Sequence, residues 1–439
     1  MKTRHTPKAV LPLVTLTITL ALSLSAYSQA TATGTTATAP KLDDGAGAFA
    51  TGKYRNLFAE AGHTPEQIQA KIDAAYAQLL GPDPTKTFYF PAGSNANGPL
   101  GYVCAIYEND VRSEGMSYGM MLTVQMDKKA EFDALWNWSK TYMYHDDPTH
   151  PTYGFFSWEM RRDGTPMAQG PAPDGEEYFA MALLFAANRW GNGKGIYDYK
   201  AAADRLLTDM VHRKPVAGAG GRGGGGGGGN MVNEQQAMIL FVPNSTFTDP
   251  SYHLPAFYEL WARWGPEADR AFWLRAAQAS RDLFQKAVHP KTGLNPAYCN
   301  FDGTPSGGAR GQGAFRLDSW RTASNWSVDW SWWAKDPRQH EFSDHLQAFF
   351  ESQGMDTYAN QFMLDGTVLN VARQAHSTGL IGTNAVASLA ATDKERSKKF
   401  VEALWNAEIP TNPERYYDGA LYLFSLLHCS GQFRIWPPK

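Results

Sequence analysis

The chain has 439 residues, a formal net charge of −3, 13% aromatic residues and three cysteines. The near-neutral balance excludes the basic face that nucleic-acid binding needs. Cys104, Cys299 and Cys429 are too few and too widely spaced for a disulfide framework or a zinc site, and are expected as buried thiols.

The N-terminus reads as a targeting segment. Lys2, Arg4, His5 and Lys8 precede the apolar run "AVLPLVTLTITLALSLSA", and "SQA" ends at Ala30. Residues 1–30 are therefore expected to be a secretory signal peptide, placing the protein in the periplasm or outside the cell. Residues 31–51, rich in Thr, Ala and Gly, are expected as a disordered lead-in, with the folded domain spanning 52–439. No other apolar run is long enough to suggest a membrane span.

The periodic segments that follow read as helices. "PEQIQAKIDAAYAQLLG" (65–81) has Thr64 as a cap, Pro65 in its first turn and Gly81 at its end. "EEYFAMALLFAANRWG" (176–191) is apolar on nearly every face, as a buried helix is. "DYKAAADRLLTDMVHR" (198–213) and "AFWLRAAQASRDLFQKAV" (271–288) are amphipathic, and "SDHLQAFFESQG", "NAVASLAAT" (384–392), "KERSKKFVEALWNA" and "YYDGALYLFSLLHCSG" continue the series. Long loops rich in Gly, Pro, Asp and aromatics separate them, such as 146–175 and 295–320, and loops of that length usually carry function. A dozen helices without a strong linker predict one all-α toroid, with inner helices apolar all round and outer helices amphipathic. The Gly-rich stretch 218–230 lacks the Gly-Lys-Ser/Thr ending of a phosphate loop and is expected as a flexible surface insert.

Three segments place acids where chemistry could occur. "DVRSEGMSYGMM" (110–121) puts Glu114 at the start of a helix whose Met116, Tyr118, Met120 and Met121 are ready for burial. The helix dipole alone explains a first-turn glutamate, but apolar surroundings would also suit a protonated general acid. "PAPDGEEYF" puts Asp174 at a similar helix start, where an N-cap is the plain reading. "RLDSWRTASNWSVDWSWWAKD" sets Asp318 and Arg321 three residues apart, on one helix face, among five tryptophans beyond what core filling asks for. Separated carboxylates with aromatics in an exported all-α chain suit glycoside hydrolysis, which needs one acid and one base or nucleophile. The His-Glu-x-x-His zinc helix is missing.

These stretches, together with "MDKKAEFDALWNWSKTYM", "DPSYHLPAFYELWA" and "GALYLFSLLHCSG", closely resemble glycoside hydrolase family 8 from about residue 50 to the C-terminus, nearest its reducing-end xylose-releasing exo-oligoxylanases. The resemblance implies a single-domain (α/α)6 barrel and inverting hydrolysis without metal or cofactor. By motif it makes Glu114 the general acid, Asp318 the general base steadied by Arg321, and Asp174 the third cleft acid. Tyr252, His376, Trp158 and Tyr118 join Arg321 as substrate-binding residues. In "QAHSTGL" His376 is kept, but Ala375 and Ser377 flank it where the exo enzymes have Leu and Pro. The expected partner is a xylo-oligosaccharide, with no nucleic acid and no membrane, bound by a monomer. An endo-xylanase on the same fold and a carbohydrate-binding protein with a dead site are the alternatives.

Overall fold

The computed structural model describes residues 42–215, 228–371 and 374–439. The signal segment and most of the Gly-rich insert lie outside the described residues. Helices α1 (Ala48–Thr51), α2 (Leu57–Ala61) and α3 (Pro65–Leu79) open the fold, followed by α4 (Ser113–Gln125), α5 (Lys129–Trp138), α6 (Pro173–Trp190) and α7 (Tyr199–His212). Then come α8 (Pro255–Trp264), α9 (Arg270–Ala287), α10 (Ser319–Trp333), α11 (Arg338–Ser352), α12 (Thr378–Val386), α13 (Lys394–Asn406) and α14 (Arg415–Cys429).

The architecture is the expected (α/α)6 barrel. The inner ring is α4, α6, α8, α10, α12 and α14, each backed by one outer helix: α5 behind α4, α7 behind α6, α9 behind α8, α11 behind α10, α13 behind α12 and α3 behind α14. The ring closes where α14 meets α4. The α6–α8 joint is made by the Tyr258 hydroxyl on Glu177 and by Phe257 against Tyr178. Sequence pattern decides which ring a helix joins. Every residue of α4 except Glu114 is buried, whereas α9 buries a single stripe: Trp273, Ala276, Ala277, Ser280, Arg281, Leu283, Phe284 and Ala287. The predicted start of α3 is a full capping box, with the Thr64 hydroxyl accepting from the Gln67 N–H and the Gln67 side chain accepting from the Thr64 N–H.

Four expectations need correction. Residues 44–51 are packed, not disordered. The Ala46 N–H donates to the Trp333 carbonyl at 3.0 Å, and Phe49 stacks on Trp333 at 4.4 Å. The small residues read as disorder are what permits this contact, because a Cβ on Gly45 would lie 1.9 Å from the Trp333 carbonyl oxygen. Second, α12 begins at Thr378, six residues before the predicted start, and ends at Val386 in a short 3-10 turn. Third, four of the five tryptophans of α10 are core: Trp320, Trp326, Trp332 and Trp333 are buried, and of these only Trp320 also borders the cleft, while Trp330 is half-buried. Fourth, a strand pair, β1 (Tyr89–Asn95) with β2 (Gly98–Val103), was not foreseen; it packs against α5.

Candidate active site

Four of the inner helices, α4, α10, α12 and α14, turn their N-terminal ends toward one cavity of about 460 Å³. Its wall includes Glu114 of α4, Asp318 at the start of α10, His376 just before α12, and Tyr416 and Tyr417 of α14. Helix N-termini carry partial positive charge, so carboxylates gathered there are favoured.

Arg321 ties the acids together. Its Nη1 donates to Glu114 Oε2 at 2.7 Å, to Asp174 Oδ2 at 2.9 Å and to the Tyr118 hydroxyl at 2.7 Å. Its Nη2 donates to the Ser251 hydroxyl at 2.9 Å and to Asp318 Oδ1 at 3.2 Å. Three carboxylates from three helices thus share one buried guanidinium, with Glu114 and Asp318 on different nitrogens. Glu114 does not sit in the apolar pocket its neighbours suggested. Its second oxygen accepts from the Tyr416 hydroxyl at 2.6 Å. Both Gly residues after the acids serve close packing: a Cβ on Gly115 would lie 2.6 Å from the Tyr416 ring, and one on Gly175 2.6 Å from the Ser113 hydroxyl.

A profile of glycosyl hydrolases family 8 matches residues 105–431. The chain belongs to this family. It is 44% identical over 395 residues to the reducing-end xylose-releasing exo-oligoxylanase Rex8A of Paenibacillus barcinonensis, covering 89% of this chain and 99% of that protein. The reducing end xylose-releasing exo-oligoxylanase of Halalkalibacterium halodurans is 43% identical, with 90% and 97% covered. A family 8 xylobiose complex from Teredinibacter turnerae superimposes with a TM-score of 0.85 at 53% identity, covering 89% of this chain and all of that one.

Family 8 membership makes the protein a glycosidase, and its other expected site residues fall as follows. Tyr252 is buried at the end of the turn Pro250–Tyr252, with the Arg321 guanidinium 5.7 Å from its ring. Tyr118 is buried, and its hydroxyl accepts from Arg321 where a substrate-binding role would have it face the cavity. His376 lines the cavity, and its Nδ1 donates to the Tyr358 carbonyl at 3.1 Å. Trp158 stands outside the cavity wall. Its ring lies 5.9 Å from the guanidinium of Arg112, a residue that does line it. Asp174 is one residue inside α6, whose N-cap position is Ala172, so its carboxylate is free to meet Arg321.

Sequence reasoning missed Tyr416, Tyr417, Ser251 and Asp249. The first two repeat the pattern that flagged Glu114 and Asp174, polar residues and a glycine opening an apolar helix, here as "YYDG". Asp249 is wholly buried, and its Oδ1 accepts from the Ser251 N–H at 2.7 Å. Burial, and then the charge of Asp318, push its carboxyl well above the usual range.

Burial raises Asp318 and Asp174 too. Asp318 is raised by the enclosing cleft walls, with Arg321 pulling it down and Glu114 pushing it up. Asp174 is pushed up to about 7, mostly by burial, against the pull of Arg321. An aspartate raised this way favours the folded state below its unfolded pKa of about 3.9, and that contribution is lost as pH rises through about 7. Asp174→Asn removes the titration. Relative to wild type, its melting temperature is expected to gain on the order of 2 °C between pH 4 and pH 8. An unchanged difference across that range would contradict the assignment.

Proposed function

We propose that the protein hydrolyses β-1,4-xylosidic bonds of xylo-oligosaccharides with inversion, releasing xylose from the reducing end. Glu114 protonates the departing glycosidic oxygen. Asp318 takes a proton from water on the opposite face of the sugar, and that water's oxygen bonds to the anomeric carbon as the old bond breaks. By its match to the family, Asp174 contacts the sugar at the scissile position, and Tyr252 stands near the base and its water. The observation that carries this reading is the pairing of Glu114 and Asp318 on separate nitrogens of Arg321, in a cavity that runs to His376. Arg321 holds one carboxyl on each Nη nitrogen, and inversion calls for the two to stand about 6.5–9.5 Å apart, with room for water. The names of the relatives supply the sugar and the reducing-end preference.

One observation favours endo cleavage as a second reading. His376 also borders an outer groove, with Met355, Asp356 and Lys399, and its neighbours Ala375 and Ser377 are small. A longer sugar chain could pass there. Early digestion of xylohexaose decides between the two. Xylose plus xylopentaose is the expected result, with the new reducing ends appearing first as the α-anomer by NMR. A spread from xylobiose to xylotetraose with little xylose would transfer the assignment to the endo reading. We further propose that residues 1–30 direct export and that the enzyme acts as a monomer.

A further inference from the structure

Asp318 occupies an uncommon backbone position. It is the N-cap of α10, yet its dihedrals are already helical (φ −57°, ψ −35°), and its side chain makes no capping bond. An N-cap residue is normally extended and spends its side-chain oxygen on the helix's free N–H groups. Here the carboxylate is left for the cleft, and the chain must turn one residue earlier. That residue is Leu317, at φ 26°. A branched-chain residue at positive φ is strained, and such strain persists only where the surroundings hold it. Leu317 is also among the exposed large apolar residues and lines the cavity.

Two donors hold this turn through the Leu317 carbonyl. One is the Trp320 N–H at 3.0 Å. The other is the Tyr417 hydroxyl at 3.1 Å, reaching across from α14. The Tyr417 ring packs against Trp320 at 5.8 Å, which fixes the direction of the hydroxyl. We infer that Tyr417 is a positioning residue: by clamping the Leu317 carbonyl it holds the strained turn that aims Asp318 into the cleft. This rests on Asp318 being the base.

The test is a double-mutant cycle on xylotriose hydrolysis. Tyr417→Phe removes one hydroxyl and is expected to lower kcat on the order of tenfold, about the worth of one hydrogen bond, with KM nearly unchanged. Leu317→Asn supplies a residue that adopts positive φ with less strain. In that background Tyr417→Phe is expected to cost only about twofold, because an unstrained turn needs less holding. The inference falls if Tyr417→Phe leaves kcat unchanged, if it acts through KM, or if its cost is the same in both backgrounds. Asp318→Asn is measured alongside. Full activity there would refute the base assignment, an outcome separate from any result of the cycle.

Discussion

Glu114→Gln is expected to lower kcat on xylotriose roughly 100- to 10,000-fold, the span of a lost general acid. The side chain keeps its shape, and the two donors on it, Arg321 and Tyr416, come from other helices that pack independently of the carboxylate. The fold should therefore survive, and a circular dichroism melt close to wild type is expected. The informative comparison changes the leaving group. A sugar leaves as a basic alkoxide and needs the proton, whereas fluoride in β-xylobiosyl fluoride leaves without it. Glu114→Gln should retain much of its activity on the fluoride, while Asp318→Asn should lose both substrates because water still needs its base. A Glu114 variant as active as wild type on xylotriose would remove the acid from this position.

The parts of this site legible in the sequence were those governed by local pattern. The burial of α4 follows from Met116, Met120 and Met121 at helical spacing, and the start of α3 from Thr64 and Pro65. Arg321 beside Asp318 is a three-residue relation and could be read directly. The contacts of Arg321 with Glu114 and Asp174 span 207 and 147 residues, and no local rule predicts them. The same limit hid Tyr416, which meets Glu114 from 302 residues away. The tryptophans of α10 misled for the opposite reason. Their density suggested more than core filling, but composition does not say which way a ring points, and an inner helix has neighbours on every side. Residues 44–51 misled because Gly and Ala mark disorder and close backbone packing alike.

Arg321→Met should be the most damaging single change in the protein. The guanidinium is buried, and it is the only cation bonded to Glu114, Asp174 and Asp318 among the described residues. Removing one partner from a buried ion pair typically costs about 3–5 kcal/mol, because the remaining charge is left uncompensated. The acids then escape by taking up protons. Asp174 and Asp318 already lie above their ordinary values with Arg321 opposing the rise, so its loss lifts them further. The folded-state pKa values being raised, the stability loss relative to wild type must shrink toward pH 4 and grow above about pH 7. Urea unfolding at both ends of that range checks the sign. Arg321→Lys separates charge from geometry. An ammonium restores the positive charge and part of the stability, but its three donors radiate from one atom and cannot span acceptors that now use both Nη1 and Nη2. Stability recovered without activity, with kcat still down roughly 100-fold or more, is the expected outcome. Recovery of both would mean that charge alone suffices and that the fork geometry does not set the distance between acid and base.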